Sequence, residues 1–92
     1  KNISIPTICI IQIGNKQQSN IYIDKKISMC KTLNFNYVFK KYDENVSQTE
    51  IIDYIEKLNL DDKINGIIVQ LPLPPHLDNY KFRILNSIKY SK

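Results

Sequence analysis

The sequence predicts an α/β fold, a three-layer αβα fragment with helices on both faces of a mostly parallel sheet in the order β-α-β-α-β-α, and three observations carry that prediction. Two segments, Pro6–Gly14 and Ile64–Gln70, are runs of β-branched residues with little polar alternation, as strands covered on both faces are. Segments with apolar residues at helical spacing separate them. The connections between all of these are short, and strands alternating with helices over short connections favour parallel pairing.

Each element has a local reason. Pro6–Gly14 ends at Gly14-Asn15, a turn signal. From Ser19 to Leu33 the apolar positions Ile23, Ile27 and Cys30 recur at helical spacing, with Ser19 placed as N-cap and Asn34 as exit. Asn36 to Tyr42 is aromatic and β-branched at Tyr37-Val38-Phe39, a short strand, and Asp43–Asn45 turns the chain. Ser47-Gln48-Thr49-Glu50 is a capping box, in which hydroxyl and carboxylate each accept from the other residue's backbone N–H. Its helix carries the stripe Ile51, Ile52, Ile55 and Leu58 and stops in Asn59–Asp62. After the third strand, a terminal helix is expected from about Asp78, apolar at Phe82, Ile84, Leu85 and Ile88.

Composition narrows the function classes. Ninety-two residues, 42% hydrophobic with 2 Gly and 4 Pro, suit one small domain. The chain begins at Lys1 and is expected to be an incomplete piece of a larger protein. The net charge is +4, yet 12 of the 13 basic residues are Lys and Arg83 stands alone, a poor set for bidentate base or phosphate reading, so no nucleic acid partner is expected. Cys9 and Cys30 are too few and too far apart for a disulfide framework or metal cluster and are expected as buried thiols. The longest apolar run, Ile8–Ile11, is far short of a membrane span, so no membrane partner is expected.

In an open parallel sheet ligands bind beyond the carboxyl ends of the strands. Two clusters fall there. Tyr22 and Lys26 lie at i, i+4 on the first helix, which puts phenol and ammonium on one face. Gln70 leads from the third strand into Leu71–Pro75, a loop stiffened by prolines. A stacking ring, a movable amine and an amide thus have one cleft to converge on. Taken singly, each has an ordinary role: an aromatic on a helix surface, a solvated charge, a strand-end amide.

Taken together, the residues say more. Ile11-Gln12-Ile13-Gly14, then Ser19-x-x-Tyr22-Ile23-x-x-Lys26, Cys30, the Ser47 box, and Gly66-Ile67-Ile68-Val69-Gln70-Leu71-Pro72-Leu73-Pro74 with His76 resemble the bifunctional methylenetetrahydrofolate dehydrogenase/cyclohydrolase family along nearly the whole chain. The resemblance implies a single folate-binding catalytic domain over residues 1–92, the amino-terminal partner of a Rossmann-type domain absent here. That absent domain binds most of the NADP or NAD, and a tetrahydrofolate derivative is the substrate. The position of Tyr22 implies stacking on the folate ring, Lys26 the catalytic lysine, and Gln70 a hydrogen bond beside it. Backbone groups at Val69 and Leu71 would line the same pocket.

The implied chemistry is oxidation of methylenetetrahydrofolate followed by hydrolysis of the methenyl cation. Hydride loss needs the ring held in place, a task for Tyr22. Water addition needs a proton acceptor, the neutral amine of Lys26, with the Gln70 amide N–H donating to the lysine nitrogen. A homodimeric parent in the cytoplasm or mitochondrion is also implied. The alternative reading is a diverged module that binds folate or a protein without turnover.

The family's Asp-Pro-Ala stretch before the serine is replaced by Asn15-Lys16-Gln17-Gln18, and Tyr90 stands where a proline is expected. His76 is read as a turn residue contacting backbone. Lys40-Lys41 is read as a solvated strand end, with attraction for a polyglutamate tail as the sharper reading. Asp61 and Asp62 are read as turn residues without metal-ligand companions.

Overall fold

Strands β1 (Thr7–Ile13), β2 (Asn36–Tyr42) and β3 (Gly66–Val69) form one parallel sheet in the order β2-β1-β3. Helices α1 (Gln17–Thr32) and α2 (Gln48–Asn59) connect them, and a 3-10 helix over Pro75–Tyr80 runs into α3 (Lys81–Asn86). The coordinates are a computed structural model that describes residues 5–71 and 73–89. Pro72 of the proline loop and Tyr90 lie outside the described residues.

The layering follows from the strand order. From β1 the chain crosses outward to β2 and then returns past β1 to β3, so crossovers of one hand place α1 and α2 on opposite faces. Side-chain alternation shows this directly. Ile8, Ile10 and Ile68 face Met29 and Cys30 of α1 and its C-cap Leu33. Cys9, Ile11, Ile13, Ile67 and Val69 pack instead with Ile51, Ile55 and Leu58 of α2 and with Leu77 and Ile84. The central strand is covered on both faces, with Cys9, Ile10 and Ile11 fully buried, which accounts for its lack of polar alternation.

Helix ends follow local chemistry, with one correction. The Ser47 hydroxyl accepts from the Glu50 N–H at 3.3 Å, the Ser47 half of the capping box. Asn34 leaves α1 in the left-handed region (φ 59°), and Phe35 N–H to Cys30 O (2.8 Å) with Asn34 N–H to Lys31 O (3.2 Å) completes a Schellman exit. Ser19, expected as N-cap, sits inside the first turn of α1 and is buried. The cap residue is Lys16, whose side chain makes no capping bond.

Two further expectations change. The third strand is shorter than Ile64–Gln70, because Ile64 N–H bonds to Asp61 O at 3.0 Å in a turn that delivers its side chain to the core. Asp61 Oδ1 also accepts from Lys63 N–H at 2.9 Å. Phe82 is 74% exposed and not part of the terminal stripe, whereas Ile84 is fully buried and Leu85 and Ile88 pack beside it. The 3-10 helix shifts the phase of that stripe. His76 meets its structural reading: its Nε2 lies 2.9 Å from Val46 O and donates to it, tying the proline loop to the start of α2.

Candidate active site

Order β2-β1-β3 makes a topological switch point between β1 and β3, the place where the crossovers diverge and leave a crevice at the strand carboxyl ends. Gly14 opens it. Its φ of 88° suits glycine, and its N–H bonds to Tyr42 O at 2.9 Å, fastening the loop to the end of β2. A cavity of about 210 Å³ lies between this loop and the proline loop, lined by Ile13, Gly14, Asn15, Lys16, Glu44, Pro74 and Pro75.

Gln70 continues the β1–β3 ladder by one bond, N–H to Ile11 O at 2.9 Å, which fixes its side chain on the α1 face. There its Oε1 accepts from Lys26 Nζ at 2.5 Å. Its Nε2 donates to Leu71 O at 2.9 Å. The amide therefore points opposite to the sequence expectation: the Leu71 carbonyl occupies the NH₂ end, and Lys26 is the donor rather than the acceptor. Gln70 is 8% exposed, so its end of this bond is shielded from water, whereas Lys26 is half-buried and reachable.

Tyr22 sits one turn before Lys26 on the same face of α1, with 42% of its surface open. An exposed ring beside an amine is available for stacking. The Val69 side chain belongs to the opposite layer, in the core with α2, so only its main chain is left for the crevice. Leu71 contributes the carbonyl bound by Gln70, while its side chain packs against that same core.

Polar groups not picked out from the sequence flank the site. Gln12, 2% exposed, donates from Nε2 to Asn20 Oδ1 at 2.6 Å. Asn20 Nδ2 donates to Asn15 Oδ1 at 3.0 Å, and Lys41 Nζ to the same oxygen at 2.7 Å. The sequence signal was a lone amide in an apolar run. Lys40 and Lys41 part company: Lys40 Nζ lies over the rings of Tyr42 (5.0 Å) and Tyr54 (5.6 Å), on the α2 side. They do not form one basic patch for an anionic tail, and Asp43 and Glu44 line a separate hollow beside Lys41.

Tyr54 also meets Tyr42 edge to face and has its hydroxyl 3.8 Å from Cys9 Sγ. Burial pushes the Cys9 thiol up, and burial with the Cys9 contact pushes the Tyr54 phenol up to about 12. Both cysteines are free and buried, so these groups serve the core. No helix among the described residues is long and apolar enough to cross a membrane.

A parallel α/β domain that presents a lysine bonded to a buried amide, with an open ring beside it, at a switch point has the form of a small-molecule-binding domain. The family model for the tetrahydrofolate dehydrogenase/cyclohydrolase catalytic domain matches residues 1–92, and the chain belongs to that family. It is 39% identical over 87 residues to the bifunctional protein FolD of Campylobacter fetus, covering 95% of this chain and 30% of that protein. It is 41% identical over 81 residues to FolD of Acetivibrio thermocellus, covering 88% and 28%.

Among solved structures it matches the bifunctional FolD of Campylobacter jejuni with a TM-score of 0.86 at 34% identity, over 94% of this chain and 30% of that one. The Trypanosoma brucei methylenetetrahydrofolate dehydrogenase-cyclohydrolase, complexed with NADP cofactor and inhibitor, matches with a TM-score of 0.85 at 30% identity, over 92% and 28%. The chain thus spans under a third of the length of these relatives.

Proposed function

We propose that this chain is the folate-binding catalytic part of a methylenetetrahydrofolate dehydrogenase/cyclohydrolase, with Lys26 as the base of the hydrolytic step, Gln70 as its orienting partner and Tyr22 as the stacking platform. The observation that carries the reading is the 2.5 Å bond from Lys26 Nζ to a shielded Gln70 Oε1, one turn from an open tyrosine ring. A lysine that only needed solvent would not be held to a buried amide at a strand end.

The hydrolysis follows from these groups. Water attacks the methenyl carbon while the Lys26 amine takes one of its protons, giving a carbinol between the two folate nitrogens. A carbon–nitrogen bond then breaks, that nitrogen takes the proton back from Lys26, and the hydroxyl loses its own proton to solvent as the formyl C=O forms. The balance is methenyl cation plus water to formyl product plus one proton. A positioned base contributes about 10²–10⁴-fold to such a step. The Val69 and Leu71 main chains would border the ring.

A nicotinamide cofactor supplies the hydride acceptor for the dehydrogenase step. This chain does not fit its phosphates: Gly14 and Gly66 are its two glycines, and no glycine-rich turn joins a strand to a helix as a dinucleotide cradle requires. The part of this domain in that step is to hold the folate ring on Tyr22, with the dinucleotide held elsewhere.

The test uses a chain that carries this domain together with a nicotinamide-binding domain. Decay of methenyltetrahydrofolate is followed for wild type and Lys26→Ala, which is expected to lose about 10²-fold or more of the hydrolysis while remaining folded. A folded wild type without turnover would leave a binding module and end the catalytic reading.

A further inference from the structure

α1 carries both Tyr22 and Lys26, yet little of it is anchored by apolar contact. Of its 16 residues Ser19, Ile23 and Cys30 are buried, its N-cap makes no side-chain bond, and its first turn has no acidic residue. Against this weak start stands a polar group in an unexpected place. Gln12 is 2% exposed in a strand otherwise made of Thr, Ile and Cys, and burying an amide is unfavourable unless it is bonded.

Its amide opens a connected set of side-chain bonds. Gln12 Nε2 donates to Asn20 Oδ1, Asn20 Nδ2 donates to Asn15 Oδ1, and Lys41 Nζ donates to that same oxygen. Asn15 is thus the acceptor on which the set converges. Ile11 pairs with Val69 in the register, so Gln12 and Gln70 are neighbours on adjacent strands, both facing α1. One grips Asn20 in the early turns and the other grips Lys26 further along.

We infer that Gln12 is a positioning residue for the folate chemistry: its bond to Asn20 seats the first turns of α1, so that the Lys26 amine reaches Gln70 and Tyr22 faces the same ligand. This rests on Lys26 being the base, as proposed above. Gln12 touches no substrate and acts through the helix. The loop departure Asn15-Lys16-Gln17-Gln18 belongs to the device, since Asn15 joins Asn20 to Lys41.

The test has two arms. In the two-domain chain, Gln12→Leu is expected to lower kcat for methenyl hydrolysis by about tenfold, because a base displaced by a fraction of an ångström to one ångström loses its line to the reacting water, with KM within about twofold. Asn20→Leu is expected to match it, the double variant to be no worse than either single one, and Asn20→Asp, which keeps an acceptor for Gln12, to recover most of the rate. In the 92-residue chain, amide exchange over the first two turns of α1 is expected to accelerate in Gln12→Leu while β1 and β3 amides hold their protection. Wild-type kcat in a folded Gln12→Leu, or equal loss in Asn20→Asp and Asn20→Leu, overturns the inference. If wild type lacks hydrolysis, the function reading fails instead, and unchanged exchange in α1 overturns the seating role by itself. Should Gln12→Leu not fold, the two Asn20 variants, altered on a half-buried helix position, decide it.

Discussion

Replacing Gln70 with Leu separates stability from chemistry at the site. The side chain is 8% exposed and makes two bonds, from Lys26 Nζ at 2.5 Å and to Leu71 O at 2.9 Å. Leucine keeps the volume and removes both. A bond to a charged donor is worth about 1.5–3 kcal/mol and a neutral one about 1 kcal/mol. Lys26 is half-buried, so water replaces much of the first, and the new apolar side chain recovers part of the second. A net loss of about 1–2 kcal/mol remains, a fall in Tm of roughly 5–10 °C for a domain of this size. Hydrolysis should fall further than stability implies, by about 10–10²-fold at temperatures where the variant is fully folded, because the amine has lost its orienting partner. Circular dichroism melts and the decay of methenyl absorbance measure the two separately. Gln70→Glu sharpens the contrast: a carboxylate holds the amine in its charged form, so hydrolysis falls while Tm stays nearer wild type than in the Leu variant. Unchanged turnover in a folded Gln70→Leu protein refutes the orienting role.

Ile55→Ala removes a fully buried side chain from the α2 face of the core and should cost about 2–5 kcal/mol, read as a lower urea midpoint at constant m. Asn34→Ala forces an alanine to φ 59° and should destabilise by about 1 kcal/mol, whereas Asn34→Gly should hold in the same urea titration. Cys9, Tyr42 and Tyr54 are all pushed up chiefly by burial, so each holds its proton more tightly folded than unfolded. Their contribution is fully present below about pH 8, where the unfolded thiol and phenols are still protonated, and is lost as pH rises toward 12. Urea midpoints from pH 8 to 11.5 should therefore decline, and Tyr54→Phe should flatten the decline; an equal slope in the variant would rule out that phenol as a source.

The parts legible in the sequence were those written in local chemistry. The Ser47 box with Ile51, Ile55 and Leu58 at three and four residue spacings defines α2 almost to the residue. The absence of alternation in Thr7–Ile13 reports a strand covered twice, and Asn34 marks an exit. Tyr22, Lys26 and Gln70 were placed at one end of the sheet, and the Lys26–Gln70 contact across 44 residues is present. What the sequence concealed depends on distant partners. A serine at position 19 reads as a good cap, whereas α1 begins two residues earlier at Gln17 and its early turns are bonded through Asn20 to Gln12 of β1. Phe82 was counted as core because periodicity reports spacing and not the phase that the 3-10 helix imposes. The direction of the Gln70 amide was set by the Leu71 carbonyl, which no spacing rule reveals.

Placing β1 in the middle of the sheet has a consequence for assembly in time. Thr7 pairs with Asn36 but Ile8 with Gly66, so the second pairing closes a loop roughly twice as long as the first, at an added entropic cost of about 0.6 kcal/mol. During synthesis from the amino terminus, β1, α1 and β2 can meet while β3 is still inside the ribosome, leaving one flank of the oldest strand bare until the last strand emerges. Lys26 has no Gln70 to bind until that moment. The Lys26–Gln70 pair thus forms only after β3 has joined the sheet, and a chain arrested before that would carry the lysine on its helix without the proposed orienting partner.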